Sequence, residues 1–149
     1  MARFRFRLQT LRRLREIHRD EQRARLATAF EAERILTAQR EQVAIEIVDL
    51  GEARRRLMQQ SALDVNQLLA SQRYQLTLEA QSRTLAEQAE KLAAEVERRR
   101  RAVVEADREV RVLDKLEERQ RQQHRIAQGR IEAKTLDEVA TTRWEAPEL

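Results

Sequence analysis

The sequence contains no cysteine, one proline, two glycines and only 3% aromatic residues among its 149 positions. Without cysteine there is neither a disulfide framework nor a thiolate metal site. Two glycines do not build a phosphate-cradling loop, and no nucleophile motif accompanies them, so neither an enzyme nor a bound cofactor is expected. A sheet, whose turns need glycine and proline, is equally out of place. No stretch approaches the ~18 uncharged apolar residues of a membrane span. The start MARFRFRLQTLRRLRE is basic but has no apolar run behind it, so it does not read as a signal peptide. A cytoplasmic protein without direct membrane insertion is the expectation.

What the chain does contain is charge, at 38%, and helix-forming Ala, Leu, Glu, Gln and Arg. That mixture marks a long helix or coiled coil. Disorder is the competing reading of so charged a chain, but 41% hydrophobic content is high for it and the apolar residues are periodic. The first 25 residues hold nine arginines against Glu16, Asp20 and Glu21, a surplus of six; with a net charge of +4, the remainder sums to −2. The N-terminus is a basic arm on a nearly balanced chain.

Counting by threes and fours places Ala29, Leu36, Val43, Leu50 and Leu57 at one heptad position, with Leu26 and Ile47 at its companion, where Glu33, Arg40 and Arg54 interrupt. Nearer the start, Phe4, Leu8, Leu11, Leu14 and Ile17 form a stripe out of register with the later one, which a stutter near residues 18–25 would reconcile. A second, more regular seam carries Leu78, Leu85, Leu92, Arg99, Ala106 and Leu113, with Ser82, Ala89, Val96, Val103 and Val110 as companions. Continued, the same count meets Glu117, Gln120, His124 and Ala127, so the apolar seam stops at Leu113. Between the two lies QQSALDVNQ, where Ser61 and Asp64 have capping-box spacing. Gly51 is a rival site for the bend.

These patterns predict an all-α fold, a long two-helix antiparallel coiled-coil hairpin whose C-terminal helix is the longer. It is read as one domain over 1–149: helix 1 over about 4–60, a turn near 61, helix 2 over about 62–141 and a frayed tail over 142–149. A fold-back at Ser61 sets Phe4 opposite Glu118, where the second seam has just ended. Residues after Glu118 then have no partner within the chain. At about 1.5 Å per residue, the pairing extends roughly 85 Å and the overhang to Ala140 about 30 Å.

His18 and His124 sit among charges and offer no metal or catalytic set. The run Arg98 to Arg101 spreads around a helix and reads as solvated ion pairing with Glu95, Glu97 and Glu105 rather than a nucleic-acid patch. Phosphate contacts need only positive charge, but the arm's Phe and Leu spacing suggests packing, and no nucleic-acid partner is expected. Tyr74 is either a packing residue that closes the hairpin tip or an exposed anchor for a partner. Trp144, beyond the expected helix end and near Pro147, is either part of a frayed tail or an anchor for a partner.

The opening FRFRLQTLRRLRE, a first helix with repeated small residues, a short turn, and a tail in which Leu116, Glu117, Glu118, Arg119 and Gln120 precede Lys134, Leu136, Asp137, Glu138, Val139 and Ala140 together resemble the FliJ family of flagellar type III export proteins. The resemblance covers essentially the whole chain in layout, length and charge, and its tail motif is the specific part. The sequence departs from the pattern at the tip, where Tyr74 stands alone and many relatives carry several aromatics. Stalk proteins of virulence-type secretion systems share the layout, and a self-associating scaffold is the alternative of another class.

The resemblance implies a coiled coil similar to the stalk of rotary ATPases. Its terminal end would insert into the hexameric flagellar export ATPase, and its other end would contact the cytoplasmic domain of the export gate. It would lie peripheral to the inner membrane and escort export chaperones. On that reading Arg5, Arg7, Arg12, Arg13, Arg119 and Arg125 meet acidic loops of the ATPase, and Leu50, Leu57, Tyr74 and Leu78 meet the gate.

Overall fold

A chain rich in Ala, Leu, Glu, Gln and Arg, with its one proline at position 147, has nothing to interrupt a helix over more than a hundred residues. The computed structural model of the protein describes residues 2–144, and two α-helices fill most of that span: α1, Gln9–Met58, and α2, Val65–Trp144. They form an antiparallel coiled-coil hairpin in which the C-terminal helix is the longer. Gly51 and Gly129 lie inside α1 and α2, so the chain does not bend at Gly51.

Residues 59–64 make the connection. The amide of Gln59 reaches back to the carbonyls of Arg55 and Arg56, and that of Gln60 to Leu57, which closes α1. Asp64 then starts α2: its Oδ1 accepts from the amides of Asn66, at 3.0 Å, and Gln67, at 3.4 Å. An N-cap side chain must stand immediately before the first helical turn, and Asp64 stands there. Ser61, the other half of the expected capping box, makes no such bond among the described residues.

The chain divides into two compact units, residues 21–103 and residues 2–20 with 104 onward. In the first of these, the buried residues are Ala29, Val43, Leu78, Leu85 and Val96, with Leu26, Leu36, Ile47, Leu50, Leu57 and Leu92 half-buried beside them. This is the apolar seam expected from the heptad count. Its polar members are held by specific partners. The Arg99 guanidinium donates to the Arg25 carbonyl at 2.6 Å, and Arg54 donates to Gln72 at 3.0 Å and to Gln75. The arginine run behaves as solvated pairing, with Arg98 and Arg99 on Glu95 and Arg101 3.6 Å from Glu97. Glu105 turns instead to Arg108, and Arg100 lies 5.4 Å over the Phe30 ring. Hydrogen bonds from Arg98 and Arg99 hold the Glu95 carboxyl below its ordinary range. Its pairing is therefore complete above that range and is lost as pH falls through the lowered value.

In the other unit the buried residues are Phe6, Ala106, Val110 and Leu113, and two expectations fail. Helix 1 does not begin at Phe4. Residues 2–6 are irregular and residues 7 and 8 a turn, because the strict alternation of Arg and Phe in RFRFR suits an extended chain, whose side chains fall on opposite sides by turns. Nor do Leu8, Leu11, Leu14 and Ile17 pack: they are 38%, 38%, 59% and 49% exposed. Arg12, Glu16 and Arg19 are half-buried in their place. Arg12 and Arg19 keep the heptad count of Leu26 along α1, so no stutter is present. Charged side chains can occupy a seam when facing carboxylates satisfy them, which an apolar count does not register.

Candidate partner-binding surfaces

The terminal surface is built where this polar seam meets the first residues of the chain. Arg12 is the hub. Its Nε lies 2.9 Å from Asp114 and 3.3 Å from Glu16, and its Nη1 donates to Glu117. Arg15 reaches Glu109 at 3.0 Å. A fold-back centred on Ser61 would have set Arg12 opposite Val110, but the six-residue connection carries the pairing further along α2. The N-terminal strand of chain follows: the Phe4 ring packs 5.7 Å from that of His124, Arg121 lies 5.6 Å over Phe4, and the Ala2 carbonyl is 3.0 Å from His124 Nε2. Residues after Glu118 were expected to be bare; contact in fact continues through Gln120 and His124, and Gln128 is the last position shielded from solvent.

From Gly129 to Trp144 every residue is exposed. Ile131, Leu136 and Val139 are 58%, 69% and 49% exposed, and Trp144 is 90% exposed. The tail expected to fray at residue 142 is helical to Trp144, while the part of it over 145–149 lies outside the described residues. This segment satisfies its backbone within the helix and hydrogen-bonds Thr135, Thr141 and Thr142 to carbonyls one turn back. Side-chain packing contributes nothing to it.

Of the arginines expected on this end, Arg5, Arg7 and Arg13 line one open groove together with Arg3, Phe6, Gln9 and Thr10. Arg119 and Arg125 are exposed on α2. Arg12 is separate from these, turned inward onto Asp114 and Glu117. Positions 12 and 13 are adjacent in sequence but about 100° apart around a helix, which decides their different fates. Replacing Arg12 by alanine should therefore cost about 1–3 kcal/mol, since it removes the cation facing Asp114 and leaves the Glu117 carboxylate, only 17% exposed, with Arg121 alone. Replacing Arg13 by alanine should fall within about 0.5 kcal/mol of the parent. Urea melts followed by circular dichroism would separate the two, and equal melts would refute the inward assignment of Arg12.

The second surface lies at the tip. Leu50 and Leu57 are half-buried, Tyr74 is 48% exposed and Leu78, at 1%, is the largest wholly buried side chain. The four residues expected to face a partner are thus not equivalent, and Leu78 holds α2 to α1. The Tyr74 hydroxyl donates to Glu46 at 3.0 Å. That hydrogen bond, and next the Glu46 charge, raise the phenol's pKa, because removing the proton would set two anions side by side. A feature that the heptad count passes over lies beside it: Val65, Leu69 and Leu76, spaced by four and seven, form one exposed apolar stripe at the start of α2, at 61%, 52% and 57%. The seam count ignores residues off the seam, so an outward stripe escapes it.

Among the described residues no three His, Cys, Asp or Glu side chains gather as a metal would require, and no helix is long and apolar enough to cross a membrane. An antiparallel helix pair with exposed apolar and arginine-lined surfaces places the chain in the class of coiled-coil proteins. The family model described as "Flagellar FliJ protein" matches residues 4–148, and the chain belongs to that family. It is a coiled-coil protein related to flagellar export. Searches of curated proteins and of solved structures returned no match.

Proposed function

We propose that the chain is a central-stalk-like component of the flagellar type III export apparatus on the cytoplasmic face of the inner membrane. Its terminal end binds the hexameric export ATPase, its tip contacts the cytoplasmic domain of the export gate, and the same protein hands over export chaperones. The observation that carries this reading is the bare helix after Gln128. A helix with apolar residues and no partner in its own chain needs an external one, and a helix about 10 Å across fits the central hole of a hexameric ring where a globular domain does not. Arg5, Arg7, Arg13, Arg119 and Arg125 supply positive charge to steer that association, with a salt-sensitive on-rate.

Sedimentation with and without the export ATPase tests the reading. A monomer that joins the hexamer at low stoichiometry supports it; a stable homodimer indifferent to the ATPase indicates a self-associating scaffold instead. At the tip, the exposed stripe of Val65, Leu69 and Leu76 is the better gate contact, with Tyr74 beside it. Changing Leu69 and Leu76 together to alanine should reduce swarming at least about tenfold, as hot-spot apolar contacts do, with helical content unchanged. Normal swarming by that double variant would remove the tip from the gate.

A further inference from the structure

The first residues of the chain alternate cation and ring: Arg3, Phe4, Arg5, Phe6, Arg7. In non-helical, extended backbone, successive side chains leave on opposite sides. Phe6 is 5% exposed and Phe4 is covered by His124 and Arg121, so the rings form the inward side. Arg3, Arg5 and Arg7 are all exposed, and with Arg13 from the first turns of α1 they line one groove of about 820 Å³.

No carboxylate lines this groove. Among the described residues, none of the four arginines takes part in an ion pair or a hydrogen bond, whereas their neighbours Arg12, Arg15 and Arg121 are all paired to acids on α2. Arg3 and Arg5 also border a neighbouring groove with Glu117, but that carboxylate is taken by Arg12 and Arg121; four guanidiniums on one groove without an acid of their own repel one another, and an anion relieves that repulsion. Guanidinium also prefers planar, two-oxygen partners, that is carboxylate or phosphate.

Spacing and backbone select between those two. Burial alternates over residues 3–6 as it does along an extended chain, in which alternate residues such as Arg3 and Arg5 lie about 6.6 Å apart, the repeat of carboxylates on every second residue of an extended peptide. An acidic helix, with its carboxylates on a curved face at i and i+4, would meet fewer of the arginines. The amide and carbonyl groups of residues 3–5, ahead of the turn at 7 and 8, take no hydrogen bond among the described residues. They are thus free to pair with a second extended backbone, as strand addition does. Nucleic acid offers no such backbone, and the apolar rings that a lipid surface would take up are turned inward.

We propose that the groove of Arg3, Arg5, Arg7 and Arg13 binds an extended acidic peptide segment of a partner protein, with carboxylates on alternate residues. The proposal rests on the stalk reading only for which partner carries the segment; the site itself does not depend on ATPase binding. It adds Arg3 to the terminal surface and removes Arg12, which is committed to α2.

Fluorescence anisotropy of the full chain with labelled twelve-residue peptides tests it. One peptide alternates glutamate with threonine, and the other has the same composition with the glutamates in one block. The alternating peptide should bind about tenfold tighter, and R3Q/R5Q/R7Q should lose at least about tenfold of that affinity. R83Q, which changes an exposed arginine in the other unit, should leave binding unaltered, and circular dichroism should show all variants equally helical. Equal binding of the two peptides overturns the proposal. So does tighter binding of a single-stranded oligonucleotide or of phosphatidylglycerol vesicles than of the alternating peptide, and so does absence of binding. A chain ending at Gln128 keeps the groove and should keep the peptide. In the full chain, peptide binding without ATPase binding sinks the stalk reading alone, and ATPase binding without peptide binding sinks the groove alone.

Discussion

Ending the chain at Gln128 should leave its thermal melting point within about 2 °C of the parent, a shift worth under ~1 kcal/mol, while abolishing measurable binding to the export ATPase. The first half follows from contact. Every residue from Gly129 to Trp144 is exposed, and the last shielded positions are Gln120, His124 and Gln128. A lone helical extension of this kind is marginal in water, and its loss removes no buried area. The second half follows from the same exposure, because Ile131, Leu136, Val139 and Trp144 have no use inside the chain. Calorimetry and sedimentation with the ATPase would read the two halves separately. A melting point lowered by ~10 °C would mean that the segment is folded against something in its own chain. Undiminished ATPase binding would place the ring contact elsewhere.

Replacing Leu78 by alanine should destabilise the hairpin by about 2–5 kcal/mol, the usual cost of emptying a fully packed leucine site. Folded proteins of this size have only about 5–15 kcal/mol in hand, so a large fraction would be lost at one position. Leu78 is 1% exposed, and the unit around it has few other buried side chains to share the load. Methionine there, close in volume, should recover most of the loss. Tyr74→Ala, by contrast, removes a half-exposed ring and a surface hydrogen bond to Glu46, and should cost under about 1 kcal/mol. Urea titrations of the three variants would decide. If Leu78→Ala and Tyr74→Ala had the same midpoint, Leu78 would not be the packing centre that its burial indicates. A swarming defect in Leu78→Ala would then report on folding, which is why Leu69 and Leu76 are the better probes of the tip.

How much of this was legible depends on whether a contact is apolar and local. The seam of Leu78, Leu85, Val96, Ala106, Val110 and Leu113 could be read from the sequence, because evenly spaced apolar residues on a long helix have one way to be buried. Family membership was legible too, from the FRFRLQTLRRLRE opening and the tail motif together, and the family model bears it out. The N-terminal stretch was not. Leu8, Leu11, Leu14 and Ile17 have helical spacing and invited a packing stripe, yet Arg12, Glu16 and Arg19 lie inward. For Arg12, the hub of that face, the partner is a carboxylate 105 positions away, and no local pattern encodes so distant a partner. One signal was available and went unused: the period-two alternation of RFRFR contradicts a helix start at Phe4. At the candidate sites, the cationic surplus singled out the N-terminal end, but burial alone separates Arg12 from Arg13 and Leu78 from Leu69.

The sole indole of the protein stands at Trp144, at the end of the stretch of α2 from Gly129 onward in which every described residue is exposed. Its emission therefore begins at the red, water-quenched limit, and the hairpin contributes no second tryptophan to mask a change. Whatever encloses that segment is announced by a blue shift without any attached dye, so the molecule comes with its own docking gauge.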